Sequence, residues 1–137
     1  MTAPTAIPRT PPSYRWHVAA LVLAAIHHLD HALRGTHIGW PLTAEVNTFT
    51  YTLAIYPLIA LGFVLRSVRY WLTVAVGGVV LLAAVHTAIE QPAEILGGYA
   101  QPVWGLVAFA DLVALIVVLT VIAFRYAMLL RSPRPRG

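Results

Sequence analysis

Between Val103 and Phe124 the chain runs 22 residues with one ionisable side chain, Asp111. As a helix rising 1.5 Å per residue, this stretch is about 33 Å long, enough to cross the ~30 Å hydrocarbon core of a bilayer. It has company. Val46–Leu65 and Tyr70–Glu90 are near the same length, as is Trp16–Arg34, whose apolar part, Val18–Ile26, is short and whose polar second half needs neighbouring helices to shield it. Of the 137 residues 59% are hydrophobic and 10% charged, against about 25% charged in an ordinary soluble domain. A soluble fold of this size cannot hide that much apolar surface in one core, but lipid can. The expectation is an all-α integral membrane protein. It comprises a four-transmembrane-helix bundle over residues 14–130, between a Pro- and Thr-rich tail expected to be disordered (1–13) and a basic tail (131–137).

All nine cations are arginines. Arg9 and Arg15 precede the first run, Arg66 and Arg69 join the second to the third, and Arg125, Arg131, Arg134 and Arg136 follow the fourth. In an up-down bundle these eight fall on one side, which the positive-inside rule makes cytoplasmic, with both termini. Arg34 alone falls opposite. The five acids, Asp30, Glu45, Glu90, Glu94 and Asp111, lie in the outer half. A net charge of +4 distributed in this way marks membrane topology, and no nucleic-acid partner is expected. The expected location is the cell membrane and the expected neighbour is the bilayer, with a homo-oligomer or larger membrane complex compatible. Arg15 followed by Val18–Ile26 imitates a signal peptide, but His-His-Leu-Asp-His stands where small cleavage-site residues belong, so the segment reads as retained.

Leu23-Ala-Ala-Ile-His27 recurs as Leu82-Ala-Ala-Val-His86, an offset of 59, and Arg66 and Arg125 share that offset. This pattern reads as a tandem repeat of two-helix units, which enter the membrane in the same orientation. An acid follows each matched histidine, at Asp30 and at Glu90.

At about 100° per residue, His27, Asp30, His31 and Arg34 share one face of the first helix, while His28 points a quarter-turn away. His86 and Glu90 share one face of the third. Asp111, Tyr51, Thr52 and Tyr56 reach the same depth from the other helices. Ionisable groups at that depth are costly in lipid and should turn inward and pair. Two i, i+4 pairs on separate helices can grip one ion. His27, His31, His86 and Glu90 are therefore expected to ligate a divalent transition metal, Zn, Fe, Cu or Ni. Asp30 and Asp111 would be acceptors for the imidazole N–H groups, and Arg34 would hold an acid or anionic substrate. Such a site would serve metal handling, or metal-dependent chemistry on a lipid-soluble small molecule. Haem held between His27 and His86 is a narrower variant.

Two alternatives need no metal. One is an acid–base enzyme using His86, Glu90 and Asp111 as catalytic groups. The His86–Glu90 pair, over one turn of one helix, resembles that of membrane sterol isomerases, and the resemblance implies isomerisation of an apolar substrate. The other is a non-enzymatic subunit of a membrane complex, in which the polar residues hold helices together. Cysteine chemistry is excluded, since there is no Cys. Ser13, Ser67 and Ser132 lie on the cytoplasmic side, away from the histidines, which argues against a Ser-His hydrolase. Gly77-Gly78 and Gly97-Gly98 lack the flanking pattern of a phosphate loop, and Gly77 and Gly78 are expected to permit close helix packing. Pro57 is expected to kink the second helix and free the Leu53 carbonyl. His28 and His37 are expected at the rim, as solvated interfacial histidines with rim ligation as the alternative.

Overall fold

The computed structural model describes residues 14–34 and 52–131. Those residues form five α-helices and no strand. They are α1 (Arg15–Arg34), α2 (Ile55–Leu65), α3 (Val68–Ala84), α4 (Pro92–Gly97) and α5 (Pro102–Arg131), with a π-helical turn, Val85–Ile89, ending α3. Val68–Ile89 and Pro102–Arg131 are long and apolar enough to cross a membrane. Residues 1–13, 35–51 and 132–137, and with them His37, Glu45 and the first part of the expected second helix, lie outside the described residues, as does the Arg34 side chain.

Sequence chemistry sets the boundaries. Arg66 takes a left-handed conformation (φ 50°) and its N–H donates to the Gly62 carbonyl at 2.9 Å, closing α2. Ser67 follows as the N-cap of α3, its Oγ accepting from the Tyr70 N–H at 3.3 Å, which satisfies one of the donors a helix start leaves over. Pro57 falls in the first turn of α2, not its middle. A missing N–H costs nothing there, and the Leu53 carbonyl accepts from the Tyr56 N–H at 3.2 Å. The expected mid-helix kink is thus replaced by a helix start. The expected fourth helix is longer than its most apolar part, running on to Arg131 because Tyr126 and its neighbours still bury a face.

α5 is the spine of the bundle, with α1, α3 and α4 packed along it and α2 leaning on α3. The main core gathers Ala20, Ala24, Trp71, Ala75, Leu115, Ile122 and Tyr126; a smaller one holds Ile95, Ala108 and Leu112. Small residues permit these approaches. A Cβ on Gly105 would collide with the Leu96 carbonyl, and one on Gly78 would lie 3.1 Å from Leu119. Gly77, by contrast, faces open space, so only one of the glycine pair serves packing. The outward surface is apolar, with Val64 77% exposed and Leu33 68%. A soluble monomer rarely presents such a face.

Cross-helix contacts set the helix directions. His17, near the start of α1, meets Trp71 at the start of α3 and Tyr126 near the end of α5. His27 meets His86 further along. α1 and α3 therefore run parallel and α5 antiparallel to both. This arrangement puts Arg15, Arg66, Arg69, Arg125 and Arg131 at one end of the bundle. Asp30, Glu90 and Asp111 lie in the other half.

Candidate metal centre

The repeated histidines face each other. His27 Nε2 lies 3.1 Å from His86 Nε2, and the His31 ring is 4.8 Å from that of His27, centroid to centroid. One ligand atom from each of His27, His31 and His86 can be chosen so that all three lie within 4.8 Å of one another. His27 and His86 are 5% and 4% exposed; His31 is half-buried at the rim.

The π turn sets the position of Glu90. Its N–H donates to the Val85 carbonyl five residues back, at 2.8 Å, and the wider turn brings its side chain alongside that of His86. π turns recur at functional sites because they re-aim side chains in this way. Glu90 Oε2 is 2.8 Å from His86 Nδ1 and 3.8 Å from His31 Nε2. The shorter contact has hydrogen-bond length without hydrogen-bond alignment. At 2% exposure Glu90 is among the most deeply buried side chains described. It approaches the ring of His86 from the nitrogen opposite the one that faces His27.

The structure thus brings together His27, His31, His86 and Glu90. Asp30 and Asp111 sit elsewhere. Asp30 Oδ1 accepts from the Tyr99 hydroxyl at 2.7 Å, and Asp111 lies within electrostatic range of Asp30. Neither lines the cavity that the histidines share. Three residues beyond His27, Asp30 is turned about 60° around α1, enough to direct it to Tyr99. His27 Nδ1 is buried with no hydrogen-bond partner among the described residues, so it lacks the acidic acceptor expected for it. His28 is not at a solvated rim; its Nδ1 pairs with the Tyr56 hydroxyl at 2.7 Å, on the side of α2.

The cavity has a volume of about 130 Å³. The histidine cluster forms one end, and Ala20, Ala24, Ile59, Ala75 and Leu119 line its apolar length. Its far end reaches His17, to which the sequence assigns no role, and Trp71, expected as an anchor at the inner interface and buried here. The available signal was the seven-residue line His17, Ala24, His31, which holds one helix face. No known protein family, characterised protein or solved structure matches the chain.

Proposed function

We propose that the chain is a four-span membrane protein whose His27, His31 and His86 hold a divalent transition metal, with Glu90 as fourth ligand or as the carboxylate that orients His86. The metal would serve chemistry on, or transfer to, a lipid-soluble partner in the adjoining cavity. The observation that carries this reading is the buried triad of imidazoles within 4.8 Å. Two nitrogens on one tetrahedral ion at 2.0–2.1 Å stand about 3.3 Å apart, close to the 3.1 Å between His27 and His86. His31, at the end of a movable side chain, would swing inward. Three imidazoles and a carboxylate suit Zn, Fe, Cu or Ni. A bound ion of this kind supplies Lewis acidity and, with an open position, an activated water. The chain's own residues bury the site, keep its walls apolar, and set Glu90 against Nδ1 of His86, as carboxylates commonly orient metal-binding histidines.

The same lining argues against haem. A cavity of about 130 Å³ compares with the ~150 Å³ that holds benzene, far short of a porphyrin. The metal-free alternative, acid–base catalysis, is favoured by the 2.8 Å approach of Glu90 to His86. Asp111 would not join it, being absent from the cavity lining.

Elemental analysis and an optical spectrum of protein purified without chelators test the proposal. About one equivalent of a single transition metal per chain supports it. A protein that is metal-free and takes up none of Zn, Fe, Cu or Ni leaves the acid–base reading.

A further inference from the structure

The cavity beside the histidines is long and thin. Its lining reaches from His17 to His31 on α1 and from Trp71 to Glu90 on the strand of helix formed by α3 and its π turn. Ten residues separate His17 from His27, about 15 Å of helix. Small residues make the space: Ala20 and Ala24 line it from α1, Ala75 and Gly78 from α3. Rings bound it at both ends, His17 against Trp71 with centroids 4.3 Å apart and His27 against His86 at 4.9 Å. The volume of about 130 Å³ is near that which surrounds one benzene ring. Drawn out over four turns of helix, it is too narrow for a ring and fits a hydrocarbon chain lying lengthwise. An extended chain advances about 1.2 Å per bond, so about a dozen bonds cover the distance.

The two ends differ chemically. Tyr14, Phe63 and Tyr126 stand around His17 at 5.5, 6.2 and 5.6 Å between centroids. The Tyr126 hydroxyl occupies His17 Nε2 at 3.0 Å, and His17 Nδ1 and Trp71 Nε1 are closed off from solvent. This end presents a guest with ring carbon. The other end is lined by His27, His28, His31, Thr52 and Glu90, of which His28, His31 and Thr52 are only half-buried. Along the side, Ile55, Ile59 and Val74 are half-buried and Leu81 is 53% exposed. The cavity therefore communicates with the lipid-facing surface, and a chain can enter without crossing water. Charge selects the head group. The polar end carries the Glu90 carboxylate and no arginine lines the cavity, so an anionic head meets like charge in a medium where that is costly. A hydroxyl is neutral and both donates and accepts, so it meets an imidazole nitrogen or a carboxylate oxygen alike.

We propose that the cavity binds a linear primary alcohol of about ten to twelve carbons. Its chain lies between α1 and α3, and its hydroxyl lies among His28, His31 and Thr52, beside the triad. This names the substrate class of the proposed metal centre. It rests on that reading for the chemistry to be done, but not for binding, which the shape and lining of the cavity supply.

Two photoactivatable probes test it: dodecanols with a diazirine either at the carbon farthest from the hydroxyl or next to the hydroxyl-bearing carbon. Each is added to the full chain in lipid nanodiscs and irradiated, and the attachment sites are read by peptide mass spectrometry. The far-end probe should mark Ala20, Ile59, Ala75 or Ile122. The near-end probe should mark Thr52, Ile55 or Val85. Both should also mark lipid-facing side chains such as Val64 and Val80, 77% and 61% exposed, which report the folded bundle in its bilayer. Excess 1-dodecanol should erase the cavity marks and spare the surface marks. 1-Adamantanol, a rigid cage with the same head group, should spare both. Ala24→Leu, which fills the cavity, should lose the cavity marks and keep the surface marks. Wild-type protein marked only on its lipid-facing residues overturns the proposal without need of a variant. A reversed register, or erasure by 1-adamantanol, also overturns it. Metal content is measured on the same samples. A metal-free chain with the expected register retires the metal centre and supports this site, whereas a metal-loaded chain with surface marks alone does the reverse.

Discussion

His27 and His86, 59 positions apart in the chain, meet Nε2 to Nε2 at 3.1 Å. In a bundle whose outer surface is apolar, that contact requires α1 and α3 to present matched polar faces at one depth. It also defines the direction of both rings. The Nε2 atoms point at each other, and the Nδ1 of His86 turns back toward Glu90 on its own helix. One ring nitrogen of His86 thereby lies beside His27 and the other beside a carboxylate, an arrangement that would suit a metal-binding histidine.

His86→Ala should abolish stoichiometric metal retention, because it removes the imidazole that both His27 and Glu90 approach. Glu90→Gln should weaken metal binding by about 10–100-fold, the usual consequence of losing an orienting carboxylate. His28→Ala should keep the metal, since His28 pairs with Tyr56 instead. Metal content by mass spectrometry of the three purified variants checks the set. Equal loss in His28→Ala and His86→Ala would contradict the assignment of faces.

Metal affinity should rise with pH. Only a neutral imidazole can ligate, so protons compete with the ion. The ordinary histidine range lies near pH 6.5. Above that range affinity should plateau. Well below it, three ligating histidines give up to about three decades of loss per pH unit. A competition titration with a chromophoric chelator between pH 5 and 8 measures the slope. A flat profile would exclude imidazole ligation.

The long apolar helices and the facing of His27, His31, His86 and Glu90 were legible in the sequence because both rest on helical periodicity in a chain with few charges. The π turn was not. It replaces an i→i−4 bond with the bond from Glu90 to Val85, and no residue type signals that exchange. Nor was α4 read, because Pro92–Gly97 is too short for a periodic signal. Asp30 was assigned to the histidines on helical position alone. A rotation of about 60° around α1, together with Tyr99 arriving from beyond α4, directs it elsewhere. His17 lay outside the polar cluster in sequence, so its burial against Trp71 depended on the packing of three helices.

Two glycine substitutions should act in opposite directions. A Cβ on Gly62 would stand 2.7–2.9 Å from three atoms of the Trp71 indole. Both groups sit on packed helices, so Gly62→Ala should destabilise by about 1–3 kcal/mol, as overpacking does, and should shift the Trp71 end of the cavity. Gly77 has nothing within 4 Å of its would-be Cβ. Gly77→Ala should be neutral or stabilising, by up to about 1 kcal/mol from helix propensity. Thermal denaturation in detergent compares the two. A Gly62→Ala protein as stable as wild type would show that α2 does not pack on Trp71 as described.

The orientation of the bundle follows from its charged end. Arg15, Arg66, Arg69, Arg125 and Arg131 are brought together at one end by the parallel run of α1 and α3 and the antiparallel run of α5. Arginines near helix ends are retained on the cytoplasmic side during insertion, so both termini should be cytoplasmic and the histidine cluster should lie nearer the outer face. A green fluorescent protein fused after Gly137 should fluoresce, and alkaline phosphatase fused there should be inactive. Alkaline phosphatase fused after Gly98, at the acidic end before α5, should be active. Replacing Arg66 and Arg69 by Glu should lower the fraction of chains in this orientation, because it removes both arginines at the junction of α2 and α3. Active phosphatase after Gly137 together with inactive phosphatase after Gly98 would invert the topology, and the metal centre would then draw its ion from the cytoplasm.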